Sequence, residues 1–126
     1  MRLLLDTVAF LWTVTSPERI SAKAMRVLRD TRALREISAI SLAEIAIKQT
    51  KGKLNFSRED ALMGIADIKA RVLPYTSDHA CHLFGLPLYH ADPFDRQIIA
   101  QAMAENIPIV TPDEKFKLYQ GLTVIW

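Results

Sequence analysis

Asp92 and Asp95 stand three residues apart in the run His90-Ala91-Asp92-Pro93-Phe94-Asp95-Arg96, which leads into the apolar Ile98-Ile99-Ala100. Two further apolar runs end in acid: Leu3-Leu4-Leu5 at Asp6, and Ile107 to Val110 at Thr111-Pro112-Asp113-Glu114. A fourth acid, Glu44, follows Ile37-Ser38-Ala39-Ile40 within Ser41-Leu42-Ala43-Glu44. If these carboxylates converge, their repulsion is serious: a pair 4 Å apart costs roughly 4 kcal/mol at an effective dielectric near 20. Folding tolerates that only when a cation neutralises the acids or some of them take up protons. Oxygen ligands without thiolates point to Mg²⁺ or Mn²⁺ rather than zinc. Such an ion can activate a water for attack on phosphorus and stabilise the leaving oxygen. No serine or cysteine nucleophile arrangement is legible, and four glycines form no glycine-rich phosphate loop. The chemistry indicated is metal-dependent phosphodiester hydrolysis. Nor do the three histidines form a metal-binding pattern; His79 and His82 are three apart with nothing nearby to complete a site.

Each acid also has a local reading. Ser41-x-x-Glu44, Thr111-x-x-Glu114 and Ser57-x-x-Asp60 fit the capping box, in which a hydroxyl and a carboxylate satisfy orphan amides at a helix start. Asp92-Pro93-Phe94-Asp95 fits as well, with Asp92 as N-cap, Pro93 at the first helical position and Asp95 two residues further on. Capping constrains each acid singly and does not require Asp6, Glu44, Asp95 and Asp113 to share one edge of a sheet. That joint placement is what points to a site.

The elements that must position them follow from periodicity. Leu3 to Leu5 reads as a strand buried on both faces, and Thr7 to Thr13 as a short helix broken by Ser16-Pro17-Glu18. Arg19 to Arg35 has helical spacing, which sets Arg19, Lys23, Arg26 and Arg29 on one basic, solvated face. Ile37 to Ile40 is the second strand, and a helix runs from Ser41 to about Gln49, with Lys48, Lys51 and Lys53 at its negative end. A helix opened by Ser57 and an edge strand, Arg71 to Tyr75, come next. The spacing then gives a helix over Ser77 to Phe84 and the longest helix over Pro93 to Glu105, stopped by Asn106. Ile107 to Val110 is the fourth strand, Glu114 to Leu118 a short helix and Leu122 to Ile125 the fifth strand. Such alternation implies right-handed crossovers and a parallel sheet covered on both faces, with sites beyond the C-terminal strand ends.

Composition bounds the rest. The chain has 126 residues, half of them hydrophobic and 24% charged, which suits one globular domain over residues 1–126. A net charge of +2 gives no strong overall attraction to nucleic acid or membrane. One cysteine, Cys81, excludes an internal disulfide and fits a reducing compartment. No signal peptide or membrane span is legible, so a soluble, cytoplasmic protein is expected.

At these residues the sequence resembles the PIN-domain ribonucleases, and within them the VapC toxins of type II toxin–antitoxin pairs. The resemblance covers nearly the whole chain, through Leu-Leu-Leu-Asp6-Thr7, Ile40-Ser41-x-x-Glu44, Asp92-x-x-Asp95-Arg96-x-Ile-Ile-Ala100 and Val110-Thr111-x-Asp113. It implies a three-layer α/β fold with a five-stranded parallel sheet in the order 3-2-1-4-5. The family's four acids fall on Asp6, Glu44, Asp95 and Asp113. Asp6 and Asp95 would be principal ligands of Mg²⁺ or Mn²⁺, Asp113 would complete the site, and Glu44 would hold a second ion or orient the attacking water. Thr111 would be the usual hydroxyl beside the last acid, with Thr7, Asp92 and Arg96 supporting the site or meeting substrate. Glu114 could replace Asp113 but fits a cap better.

Arg96 has two roles open to it, an ion pair or substrate phosphate on one side and a solvated first-turn position on the other. The resemblance further implies an endoribonuclease leaving a 5′-phosphate and a 3′-hydroxyl, a homodimer, and a small DNA-binding antitoxin. The face around Phe10-Leu11-Trp12, core by its own composition, would be shared with these partners. Two rivals remain: a PIN nuclease of RNA processing or DNA metabolism without an antitoxin, and a receiver-like, non-catalytic acidic pocket. The second is poorly matched, with one acid at the first strand's end and Tyr75-Thr76-Ser77 where a phosphoacceptor should stand.

Overall fold

The computed structural model describes residues 1–126. Five strands, β1 (Arg2–Leu5), β2 (Leu34–Ser38), β3 (Arg71–Leu73), β4 (Ile109–Val110) and β5 (Val124–Ile125), form one sheet in the order β3-β2-β1-β4-β5. Every neighbouring pair is parallel. Six helices complete the layers: α1 (Thr7–Thr15), α2 (Ala22–Leu28), α3 (Ala39–Thr50), α4 (Arg58–Asp67), α5 (Ser77–Cys81) and α6 (Pro93–Glu105).

The unbroken apolar run of β1 follows from its central place. Leu3 and Leu5 point into the core shared with Phe10, Ile37, Ile45 and Ala24. Leu4 points the other way, into the core of Ile98, Ile99, Ile109 and Phe116. All three leucines are wholly buried, so neither face has room for a polar side chain. Gly64 lets α4 sit close on α1, since a Cβ there would lie 2.9 Å from Val14 Cγ2.

The order of strands agrees with the expectation, and several boundaries do not. The second strand is Leu34–Ser38 rather than Ile37 to Ile40, and α3 begins at Ala39 with no intervening loop. Charge hid this strand: its Glu36 is fully buried, held by Arg2 Nε at 2.6 Å and Arg71 Nε at 3.1 Å. Ser38, not Ser41, is the N-cap of α3, accepting from Ile40 N–H, so the expected box Ser41-x-x-Glu44 is not formed.

The helix expected over Arg19 to Arg35 is only Ala22–Leu28, preceded by a 3-10 turn at Pro17–Arg19. Arg19 therefore leaves the supposed basic face and stacks on Trp12, 3.9 Å from the ring centre. The helix expected to reach Phe84 changes to a 3-10 turn at His82–Gly85, and the fourth and fifth strands are two residues each. The last short helix, Glu114–Leu118, is also 3-10. By contrast α6 has the expected bounds, and Asn106 closes it in the left-handed region at φ 53°. The capping box at Ser57 and Asp60 forms in full.

Candidate active site

Parallel strands put all their C-terminal ends on one edge, and the order reverses between β1 and β4. Asp6 follows β1 there. It caps α1 by accepting Ala9 N–H at 2.8 Å on Oδ1, while Thr111 Oγ1 donates to its Oδ2 at 2.5 Å. Thr111 in turn accepts from the amide of Asp113 at 3.0 Å. One hydroxyl thus ties the end of β4 to the end of β1 and fixes both acids.

The Thr111-x-x-Glu114 box is not formed. Asp113 itself caps the following 3-10 turn, accepting Lys115 N–H on Oδ1, and Glu114 is an exposed partner of Lys117. Glu114 is therefore no substitute for Asp113. At the start of α6, Asp92 is the N-cap and accepts from both Phe94 N–H and Asp95 N–H. The reciprocal half of the box is missing, because the amide of Asp92 donates to His90 Nδ1 at 3.1 Å instead. This releases the Asp95 carboxylate toward the other acids.

Electrostatics report the convergence. Burial pushes Asp6 up to about 7, with the charges of Asp95 and Asp113 adding to it against its two hydrogen bonds. Burial also raises Asp95 to about 7, with further contributions from Asp92, Glu44 and Asp113, partly offset by His90. Glu44, on the second turn of α3, is 5% exposed; its Oε2 meets Lys48 Nζ at 2.5 Å and its Oε1 has no hydrogen-bond partner. An orphaned, buried carboxylate oxygen beside acids that hold protons near neutrality is the donor set of a hard divalent cation. The four sequence-expected acids fit such an ion.

The supporting residues divide. Thr7 is buried and donates to Ser41 Oγ at 2.8 Å, joining α1 to α3 instead of touching an acid. Arg96 forms no ion pair with an acid, and it is partly buried rather than solvated. Its guanidinium donates to the carbonyls of Leu86, Pro87 and His90, at 3.1, 2.9 and 3.3 Å, and so braces the loop that precedes α6.

Two residues escaped the sequence reading. Lys48 was placed at the helix end as a dipole partner, yet Glu44 raises its pKa, and the charges of Asp92 and Asp95 reach it as well. His90 places Nε2 2.7 Å from Asp113 Oδ2 and 3.2 Å from Asp95 Oδ2. For Lys48 a signal existed, four residues after Glu44 on one helix face. For His90 only its closeness to Asp92 was available.

Comparison with known proteins bears on this geometry. A search of curated protein sequences finds no match. Solved structures match over nearly the full length. VapBC2 from Rickettsia felis, bound to a promoter DNA fragment, aligns with a TM-score of 0.73 at 18% identity, covering 98% of this chain and 97% of the other. DNA-bound VapBC from Salmonella typhimurium gives 0.69 at 20% identity, with 98% and 96% covered. VapBC-1 from nontypeable Haemophilus influenzae gives 0.63 at 22%, with 98% and 96% covered. At these identities the likeness is one of fold. The sequence profile of the PIN domain matches residues 3–122. This chain belongs to the PIN-domain family.

Proposed function

We propose that this chain is a single-domain, Mg²⁺- or Mn²⁺-dependent endoribonuclease, the toxin of a toxin–antitoxin pair. The observation that carries the reading is the convergence of Asp6, Glu44, Asp95 and Asp113, brought from four segments to one sheet edge with two of them raised to about 7. Asp6, Asp95 and Asp113 would hold the ion, and Glu44, with its unpartnered oxygen, would hold a second ion or orient the attacking water. When bound, the ion supplies a nucleophile at neutral pH and charge stabilisation at phosphorus. Thr111 keeps Asp6 and Asp113 aligned, and the partly exposed Lys48 offsets the charge of Glu44 and would be free to meet a substrate phosphate.

The antitoxin part of the reading rests on the fold matches, which are VapBC toxin–antitoxin structures, two of them bound to DNA. Exposed apolar side chains support a partnered surface: Met63 on α4 and Phe84, 93% exposed, beside the active-site loop. The working form is a cytoplasmic homodimer neutralised by a small DNA-binding protein encoded beside it. The receiver-like rival loses support from the sheet, since such domains use the order 2-1-3-4-5.

Asp95→Asn preserves shape and removes a ligand charge. Cleavage-site mapping on total RNA should show discrete, metal-dependent cuts with the wild type and none above background with the variant. Full metal-dependent activity in Asp95→Asn would remove the site assignment. Growth arrest on expression, relieved by the neighbouring gene, separates a toxin from a PIN nuclease acting without an antitoxin.

A further inference from the structure

His90 lies among the acids, and the obvious role for a histidine within 4.8 Å of two carboxylates is that of a third ligand. The hydrogen bonds exclude it. Nδ1 accepts the amide of Asp92 at 3.1 Å, so the ring carries its proton on Nε2. That N–H is directed at Asp113 Oδ2, 2.7 Å away, with Asp95 Oδ2 at 3.2 Å beside it. A ligating nitrogen needs a free lone pair, and a ligating histidine ordinarily donates its other N–H to an acceptor. Here the far nitrogen faces a donor, which is the reverse arrangement. Moving the proton to Nδ1 would set it against the amide of Asp92.

The ring has little freedom to change this. It is 8% exposed, and its edge meets Phe116 at 5.5 Å between ring centres with an interplanar angle of 86°. Its amide donates to Tyr119 Oη at 2.9 Å, and that hydroxyl donates to Pro87 O at 2.8 Å. Arg96 holds the carbonyl of His90 from the other side. The result parallels Thr111: as Thr111 and Ala9 N–H fix the two oxygens of Asp6, His90 and Lys115 N–H fix the two oxygens of Asp113.

We propose that His90 is a positioning residue, holding Asp113, with Asp95 alongside, in the geometry that receives the divalent ion, and that it does not ligate the ion. This rests on the metal-dependent reading given above. Mn²⁺ titration followed by electron paramagnetic resonance tests it on the wild type, His90→Ala and His90→Gln, each checked for folding by circular dichroism. Bound Mn²⁺ in the wild type should show no imidazole ¹⁴N coupling in pulsed spectra. His90→Ala should weaken Mn²⁺ binding by roughly 10–100-fold, and His90→Gln, whose amide N–H can reach Asp113, should recover most of it. Imidazole coupling in the wild type overturns the proposal, because the ring would then be a ligand. So does Mn²⁺ affinity unchanged in a folded His90→Ala. A wild type that binds no divalent ion overturns the metal-dependent reading and this inference with it, which distinguishes the two failures.

Discussion

Asp6 caps α1 and faces two other acids from a position 2% exposed to solvent. Without a cation, it and Asp95 keep their protons up to about pH 7 when folded, against about 3.8 for a free aspartate. Across that window the folded state binds more protons than the unfolded one, so stability falls as pH rises. The slope is at most about 1.4 kcal/mol per pH unit for each group, and smaller for Asp95, which water partly reaches. Thermal melts of the metal-free protein should therefore drop from pH 5 to pH 7.5, and saturating Mn²⁺ should raise the melting temperature more at pH 7.5 than at pH 5. A metal-free profile that stays flat would mean the acids do not share a site. Binding near pH 6.5 should also release protons, seen as a buffer-dependent heat in calorimetry. These four acids are legible in the sequence because each follows an apolar run or opens a strong helix. His90 is not, since a lone histidine has no period and its partner Asp113 is 23 residues away.

At the scale of elements, the loop from Leu86 to Asp92 depends on one side chain. Arg96 reaches three carbonyls through Nη1 and Nη2, which a single ammonium could not do in the same directions. Arg96→Ala should cost about 1.5–3 kcal/mol, and Arg96→Lys should recover little of it. Amide exchange at His90 should quicken by more than about tenfold, while amides in the middle of α6 keep their protection. Equal acceleration across α6 would show a global rather than a local effect. Capping signals in the sequence identified that helices begin near Asp92 and Ser57, and both do. They failed at Ser41 and Thr111, where a hydroxyl three residues before a carboxylate serves tertiary contacts instead, Thr7 in one case and Asp6 in the other. A local pattern carries no record of a partner from elsewhere in the chain. The same limit explains β2, whose Arg35 and Glu36 fit no buried-strand pattern until Arg2, Arg71 and the carbonyls of Leu28 and Ile68 are brought beside them.

At the scale of the molecule, alternating strands and helices indicated the parallel, doubly covered sheet, while its strand order came from family resemblance and not from periodicity. The ion cluster across β1, β2 and β3 shows why such a sheet tolerates charge in its interior. Glu36 is fully buried, but Arg2 and Arg71 reach it from both neighbouring strands, and Arg2 is shared with Glu105 at 3.0 Å. Arg2→Ala with Arg71→Ala strands that carboxylate and should cost about 3–5 kcal/mol in denaturant unfolding. Adding Glu36→Met, similar in volume and uncharged, should restore much of the loss; no recovery would mean the arginines act through packing.

The hydrogen bond from Thr111 to Asp6 joins residues 105 apart. A ribosome releases Asp6 well before Thr111, so the four acids cannot come together until the segment carrying Thr111 and Asp113 has emerged. Until that bond forms, Asp6 keeps only its cap on Ala9 N–H, and the acid cluster stays unassembled on the nascent chain.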